Sequence, residues 1–379
     1  MNLYLDIHAL HTLPPSNINR DDTGAPKTAT FGGVPRQRVS SQAWKRAIRK
    51  DFEQHLDRQK LGLRTKRIVA AVVEEIQALD STWETSQAEA AAEEILKAAG
   101  IKLEKPKPKK GSDEPARTAA ETGYLLFLSR RQIQRLAEAV VNSREDKLTK
   151  KEAKALVDTE HSVDIAAFGR MVADAADFNV DAAIQVAHAI GVAASEPEFD
   201  YFTAVDDAAQ HAEETGAGMI GTVQMMSSTL YRYATADLEG LQRNLGTKEA
   251  AIEAAVAFVS AFISSMPTGK QNTFANRTLP EAVVVSLRSD RPVSWVNAFE
   301  DALPTHEQGG RRVLAAERLA EEAQGISEMY DVAPVKSWVV ALPTLAAPLE
   351  PLGEQVNRSE LLDQVRQTLE DQLGGQSKA

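Results

Sequence analysis

The residues of this 379-residue chain best suited to chemistry are cations, and they are bunched near the start. Residues 31–50 read FGGVPRQRVSSQAWKRAIRK. Ser40 or Ser41 makes a good N-cap, and the helix that follows carries Trp44, Ala47, Ile48 and Phe52 as one apolar stripe. Lys45 and Arg49 stand one turn apart on this helix, as do Arg46 and Lys50, so both flanks of the stripe are cationic. A helix mouth exposes unpaired N–H groups and a partial positive charge, and the two together bind phosphate. No Glu follows three residues on to close a capping box. Arg36 and Arg38, at alternate positions just upstream, would point the same way and add two guanidinium groups. Gly32 and Gly33 permit close backbone approach. Most Lys/Arg runs are only solvated faces. Here the density of cations, the capped mouth and the paired glycines favour a phosphate grip. With no Walker A or GxGxxG pattern, a nucleotide cradle is not expected.

Three other groups could act. Asp21 and Asp22 are adjacent carboxylates, able to hold a metal ion and activate water for phosphodiester cleavage, but Asn19-Arg20-Asp21-Asp22 is also a natural turn. Lys270 and Gln271, in the turn Thr268-Gly269-Lys270-Gln271, offer a further phosphate contact or a plain surface turn. His8, His11 and His188 have no metal-ligand spacing, and the chain has no cysteine, so they read as core or loop histidines, with no metal or cofactor expected.

These residues must be positioned by a fold whose bulk properties are ordinary: 43% hydrophobic and 26% charged, with no apolar run of membrane-spanning length. The absence of cysteine fits a cytoplasmic protein. A net charge of −11 opposes nucleic-acid binding, but it is uneven. Residues 1–70 carry 13 Lys/Arg and 6 Asp/Glu, a net +7, while the other 309 carry 30 and 48, a net −18. A basic block on an acidic molecule is the pattern of one polyanion-binding face.

Residues 2–10 alternate, with Leu3, Leu5, Ile7 and Ala9 opposite Tyr4, Asp6 and His8, which predicts a half-buried strand with a polar face. Residues 11–39 are rich in Pro, Gly, Asn and Asp and read as a long loop. From 66 to 157 the pattern is helical, with stripes at Ile68, Val69, Val72, Val73 and Ile76 and at Leu125, Leu128 and Ile133. Residues 105–115 (KPKPKKGSDEP) interrupt it as a surface loop. Period-two patterning returns at 184–192, 222–233, 282–287 and 335–342, with helices expected at 247–264, 293–302 and 359–373. A strand, helices, then strands alternating with helices describe an α+β sheet domain with a helical insertion.

The segments Ser16-Asn17-Ile18-Asn19-Arg20-Asp21-Asp22 and 31–50 resemble the N-terminal signature of the CasC family, the repeated backbone subunit of the type I-E CRISPR Cascade complex. The likeness continues through Val163-Asp164-Ile165-Ala166, Gly169-Arg170-Met171, residues 181–190 (DAAIQVAHAI), 200–207 (DYFTAVDD), 227–241 with YRYA, and 267–273. It covers residues 3 to about 287, and residues 105–115 look like an insertion.

The resemblance implies an RNA-recognition-motif (ferredoxin-like) palm with an inserted helical fingers domain and a thumb β-hairpin. The corresponding boundaries are palm 1–59, fingers 60–180, palm 181–195, thumb 196–226 and palm 227–379. It implies no enzyme but a subunit that polymerises head to tail along the CRISPR RNA, kinks it with its thumb and presents it to the target DNA strand. Implied partners are other copies of itself and the large, small, 5′-end cap and 3′-hairpin endonuclease subunits, with no membrane. A sequence-neutral grip suits such work, because base pairing reads the target. Asn19, Arg20, Arg36, Arg38, Ser40, Gln42, Lys45, Arg46 and Arg49 fit it, and Gly169, Arg170 and Met171 would sit close to the bases. Met171 would pack on the kinked nucleotide, although a Met is more often core filler. In the thumb, Phe202, Thr203, Met219, Ile220 or Val223 would act as a wedge. The acidic middle (Asp206, Asp207, Glu213, Glu214) reads by itself as a solvated surface loop, and could instead meet the basic palm of the next copy. The other reading is a metal-dependent target-RNA nuclease using Asp21 and Asp22.

Overall fold

The computed structural model describes residues 2–105, 119–143, 149–172, 175–204, 219–304 and 310–374, with the backbone alone at 204, 219 and 220. Residues 106–115 and the four thumb acids therefore lie outside the described residues. The chain divides into two compact units. One comprises Met1–Asp51, Gln185–Ala236 and Val256–Ala379, the other Phe52–Ile184 and Asp237–Ala255.

In chain order the elements are β1 Tyr4–Ser16, β2 Thr28–Phe31, β3 Val34–Val39, α1 Ser41–His55, β4 Gly62–Thr65, α2 Ile68–Leu79, α3 Thr85–Ala98, β5 Leu126–Ser129, α4 Arg130–Asn142, α5 Lys150–Val157 and α6 Val163–Phe168. There follow β6 Ile184–Val186, β7 Ala189–Gly191, β8 Glu198–Ala204, β9 Met219–Asp237, α7 Leu238–Leu245, α8 Lys248–Ser264, α9 Gln271–Phe274 and β10 Ala282–Arg288. The chain closes with α10 Arg311–Tyr330, β11 Lys336–Ala341, α11 Pro343–Leu349, β12 Glu354–Gln355 and α12 Arg358–Gly374.

The first unit is built on a sheet in the order β12-β11-β10-β1-β9-β7-β3-β2, with β8 paired to β9. β1 and β10 run antiparallel from Tyr4 opposite Arg288 to Leu10 opposite Ala282. Alternation decides what each face meets. On one face His11 approaches Trp44 of α1, and Arg232 of β9 packs between Trp44 and Phe262 of α8. On the other, His8 stacks on Trp295 with ring centroids 3.5 Å apart, and Leu10, Tyr231 and Val284 join α10 in one apolar cluster. The expected polar face of β1 is therefore not solvated, because a second layer covers it. Asp6 and His8 are fully buried. Asp6 pairs with Arg288 at 3.0 Å and accepts from Tyr233 Oη and the Val293 amide.

The second unit has its own core, in which the stripe Ile68, Val69, Val72, Val73 and Ile76 packs with Ile133, Leu136 and Ala137 of α4. A capping box formed by Ser129 and Gln132 starts α4.

Several sequence expectations change. Residues 11–39 are largely strand: β1 runs on to Ser16, and β2 and β3 form a hairpin whose two turn residues, Gly32 and Gly33, both have positive φ. Such a turn needs two left-handed residues, so these glycines serve the hairpin. Leu125 is exposed and Leu128 lies in β5, so no helical stripe runs through them. Residues 293–302 form only the single 3-10 turn Val296–Phe299, enough to bury Trp295 and Phe299 beside β1. α10 leaves no clear mark in the sequence pattern because its buried face is mostly alanine, which contrasts weakly with its surroundings.

Burial and the neighbouring Arg232 cation hold the His11 imidazole at about 3, against an ordinary value of 6.5. Between these values the unfolded chain binds a proton that the folded protein refuses, so stability is full above pH 6.5 and falls as pH drops toward 3. Urea denaturation at pH 7 and pH 4.5 should show lower stability at the acid pH. The difference should shrink in His11→Asn.

Candidate nucleic-acid interface

On the first unit, residues 18–24 and Gly269 line a groove of about 500 Å³, and the loop that forms it is tied to two further pieces of chain. The loop is held from below. Asn17 donates to the Gly24 and Gln224 carbonyls, both at 3.0 Å, and Asn19 Oδ1 accepts from the Ser40 amide at 2.8 Å. That last bond ties the loop to the mouth of α1. Ser40 is the cap, its hydroxyl accepting from the Ala43 amide at 3.3 Å. The Ser41 and Gln42 amides are left at the mouth, as helix geometry requires. The third piece is the turn before α9. A Cβ on Gly269 would lie 2.4 Å from the Ile18 carbonyl oxygen, so only glycine lets the turn abut the loop. Lys270 follows, exposed and at φ +49°.

Arg20, in the groove lining, is exposed, as are Lys270 next to Gly269 and Gln42 and Arg46 on α1. Lys45 and Arg49 are half-buried, and burial pulls the Lys45 ammonium down from its ordinary value. Gln271 is half-buried in the first turn of α9. Arg38 is half-buried too, donating from Nε to the Thr28 carbonyl at 3.2 Å and lying 3.1 Å from His188 Nδ1.

Arg36 is a correction. It is fully buried and donates to the carbonyls of Gly191, Phe299 and Glu300 at 2.9, 3.2 and 2.9 Å. It shares a strand face with Arg38 as alternation demands, but it fastens β3 to β7 and to the 299–300 segment and turns its guanidinium away from solvent.

Asp21 is occupied within its own loop. Its Oδ1 accepts from the Thr23 hydroxyl at 2.7 Å and from the Thr23 and Ala25 amides at 2.9 and 3.0 Å. The Thr23 hydroxyl leads in holding its carboxyl below the usual range.

The second unit carries the segment 169–171. Gly169 caps α6 at φ +78°, and a Cβ there would meet the Val180 carbonyl at 2.8 Å. Arg170, expected near the bases, is instead buried, donating to the Phe178 and Val157 carbonyls at 2.7 and 3.1 Å. Burial draws it down to about 10, against the pull of Asp158. Met171, one residue on, is 81% exposed. Core filler it is not. The buried arginine acts as the root of a platform that holds a methionine out to solvent.

The hairpin of β8 and β9 pairs Glu198 with Met225 through Ala204 with Met219. Phe202 lies opposite Gly221 and its ring covers it, since a Cβ on Gly221 would fall 2.3 Å from the ring. Thr203 is exposed and Val223 half-buried, and the side chains of Met219 and Ile220 lie outside the described residues. Among the described residues of the hairpin, the most exposed apolar groups are Tyr201 at 75% and Phe199 at 67%, neither of them among the wedge candidates. The period-two rule could have found them, as both stand on the face opposite Phe202.

A family described as CT1975-like protein matches residues 5–367. The chain belongs to that family, the CasC type of CRISPR backbone subunit. Two solved relatives agree in fold. A chain of a "CRISPR RNA-guided surveillance complex, pre-nicking" is 34% identical with a TM-score of 0.82, the match covering 97% of this chain and 100% of that one. A chain of a second "CRISPR RNA-guided surveillance complex" is 30% identical with a TM-score of 0.70, over 96% and 99% of the two. No curated protein is significantly similar to this family member. Among the described residues no helix is long and apolar enough to cross a membrane.

The platform makes a contrast that stability measurements can check. Met171→Ala should change the unfolding free energy by less than about 0.5 kcal/mol, because an exposed side chain loses little. Arg170→Ala should cost about 2 kcal/mol by orphaning two buried carbonyls. Equal losses would mean that Met171 is packed.

Proposed function

We propose that this chain grips CRISPR RNA as the repeated backbone subunit of a type I-E Cascade, binding without catalysing. One observation carries the reading: the loop 17–24 lines a groove with Gly269, is bonded through Asn19 to the Ser40 cap of α1, and abuts the turn that carries Lys270, so three cation-bearing segments are tied together. Phosphate contacts of this kind fix the register of a strand and leave its base edges free. Arg20, Arg46 and Lys270 hold the phosphates from exposed positions, with Ser40, Gln42 and Asn19 shaping the mouth. Arg38, Lys45, Arg49 and Gln271 support it from partly buried ones.

The RNA-recognition-motif palm is supported by the central strand order β10-β1-β9-β7. Numbered by position in the chain, β1, β7, β9 and β10 are first, second, third and fourth. The spatial order is then fourth, first, third, second, with α1 and α8 on the two crossovers. The exposed Met171 and the apolar hairpin supply the wedge that kinks the guide and leaves short segments for the target DNA strand. Unstacking a base takes a few kcal/mol, which side chains such as Phe202, Tyr201 and Phe199 offset by contact with the displaced ring, as wedges do in DNA. Copies stack head to tail along the guide, with the other Cascade subunits at its ends and flank, and the work is antiviral defence in the cytoplasm.

The nuclease reading is weaker because Asp21 spends its Oδ1 on Thr23 and Ala25 as a turn aspartate. Gly169 and Arg170 serve the grip indirectly, by presenting Met171.

Light scattering of the protein with guides of increasing length should give particle mass rising in steps with guide length, and complementary RNA should stay intact with Mg²⁺. Arg46→Ala and Lys270→Ala should each lower the slope of log affinity against log salt by roughly 0.7, the value per phosphate of a single strand. Unchanged slopes in both, or a lone monomer on every guide, would refute the reading.

A further inference from the structure

Two surface features take no part in the guide grip, and they have opposite charge. On the first unit, α10 and residues 297–304 enclose a groove of about 520 Å³. Met329 and Tyr330, both exposed, stand in it beside the half-buried Ile326. Among the described residues, Glu300, Asp301, Glu321 and Glu322 line it against one guanidinium, that of Arg318, which is already paired with Glu321 at 3.5 Å. Exposed apolar side chains inside a charged rim are the usual anatomy of a protein interface rather than of a solvated helix.

The second unit holds the complement. From Arg58 to Val73 the chain carries five Lys/Arg and no Asp/Glu. Lys60 is paired with Glu253 at 2.8 Å and Arg67 approaches Glu121 at 3.7 Å. Arg58, Arg64 and Lys66 are exposed and meet no carboxylate among the described residues. Leu125, also exposed, directly precedes the Leu126 that pairs with Thr65, so an apolar side chain stands beside this cationic edge. Phe127, opposite Arg64 in the register, is buried and offers a single nucleic-acid strand no ring to stack on.

We propose that these are the two halves of one heterologous contact, in which the cationic edge of one copy seats in the acidic groove of the next. This rests on the head-to-tail reading above and names the surfaces that make it. A heterologous contact needs two different complementary patches on the same chain, and here each repels its own kind. Edge on edge and groove on groove are opposed and edge on groove is favoured, which gives the array its polarity. The exposed apolar groups, Leu125 on one side and Met329 with Tyr330 on the other, supply the contact that salt does not screen.

The test uses the full chain and two RNAs, one long enough for several copies and one too short for two. Arg64→Glu with Lys66→Glu, or Glu300→Lys with Glu321→Lys, should each weaken assembly on the long RNA by on the order of tenfold at about 0.1 M salt. Binding to the short RNA and the melting temperature should not change, all four residues being exposed. Carrying both pairs of reversals at once should recover most of the assembly, which a merely local effect of either pair would not produce. Unchanged assembly in both reversed variants, or no recovery in the combination, overturns the contact while leaving the guide reading intact. Failure of the unaltered protein to array on the long RNA would overturn both.

Discussion

Arg232 lies on β9 with its guanidinium carbon 3.7 Å from the centre of the Trp44 ring and 4.2 Å from that of Phe262. One nitrogen donates to the Phe262 carbonyl at 2.6 Å and another to His11 Nδ1 at 3.1 Å. Because His11 must accept there, its proton sits on Nε2, facing the Thr278 carbonyl and hydroxyl. No carboxylate neutralises this cation among the described contacts, and burial draws it down to about 9. Two aromatic faces and two polar atoms do the work of a counter-ion. The consequence is geometric. A flat cation held between rings fixes α1 and α8 against β1 and β9, and the mouth of α1, where the proposed guide site begins, inherits that placement.

The neighbours of Arg232 in sequence face the other way and close the opposite side of the sheet. Tyr231 Oη contacts His8 Nδ1 at 2.8 Å and accepts from the Trp295 amide, while Tyr233 reaches Asp6. With Asp6 and Arg288 paired below the surface, this layer is sealed. The sheet cannot therefore offer this face to nucleic acid, and the proposed grip lies at the rim, on the loop 17–24 and the turn at Lys270. A loop on a rim needs a rigid base, which Asn17 and Asn19 provide through hydrogen bonds to β9 and to the start of α1.

Basic side chains in this protein thus do two kinds of work. Arg36, Arg170, Arg232 and Arg288 are buried, and their donors go mostly to backbone carbonyls. A guanidinium with five donors suits that task, as it can bind several carbonyls at once. Arg20, Arg46 and Lys270 stay outside and are available to phosphate. Counting cations along the chain cannot separate the two groups.

How far the sequence speaks for itself follows from these particulars. Local order is legible wherever periodicity or a cap declares it: the stripe from Ile68 to Ile76, the Ser40 cap, the strand at 282–287 and the last helix all stand where their spacing puts them. The family, too, is written in short motifs along the chain. What the sequence leaves open is which side of an element another element will cover. The alternation of β1 specifies a polar face. Only the layer of Trp295, Phe299 and α10 turns that face into a buried network. Likewise the adjacent residues Arg170 and Met171 carry no sign that the charged one is buried and the apolar one exposed. Periodicity along one segment reports which residues share a face. Whether that face meets water or protein depends on segments hundreds of residues away, and only the tertiary structure brings those together.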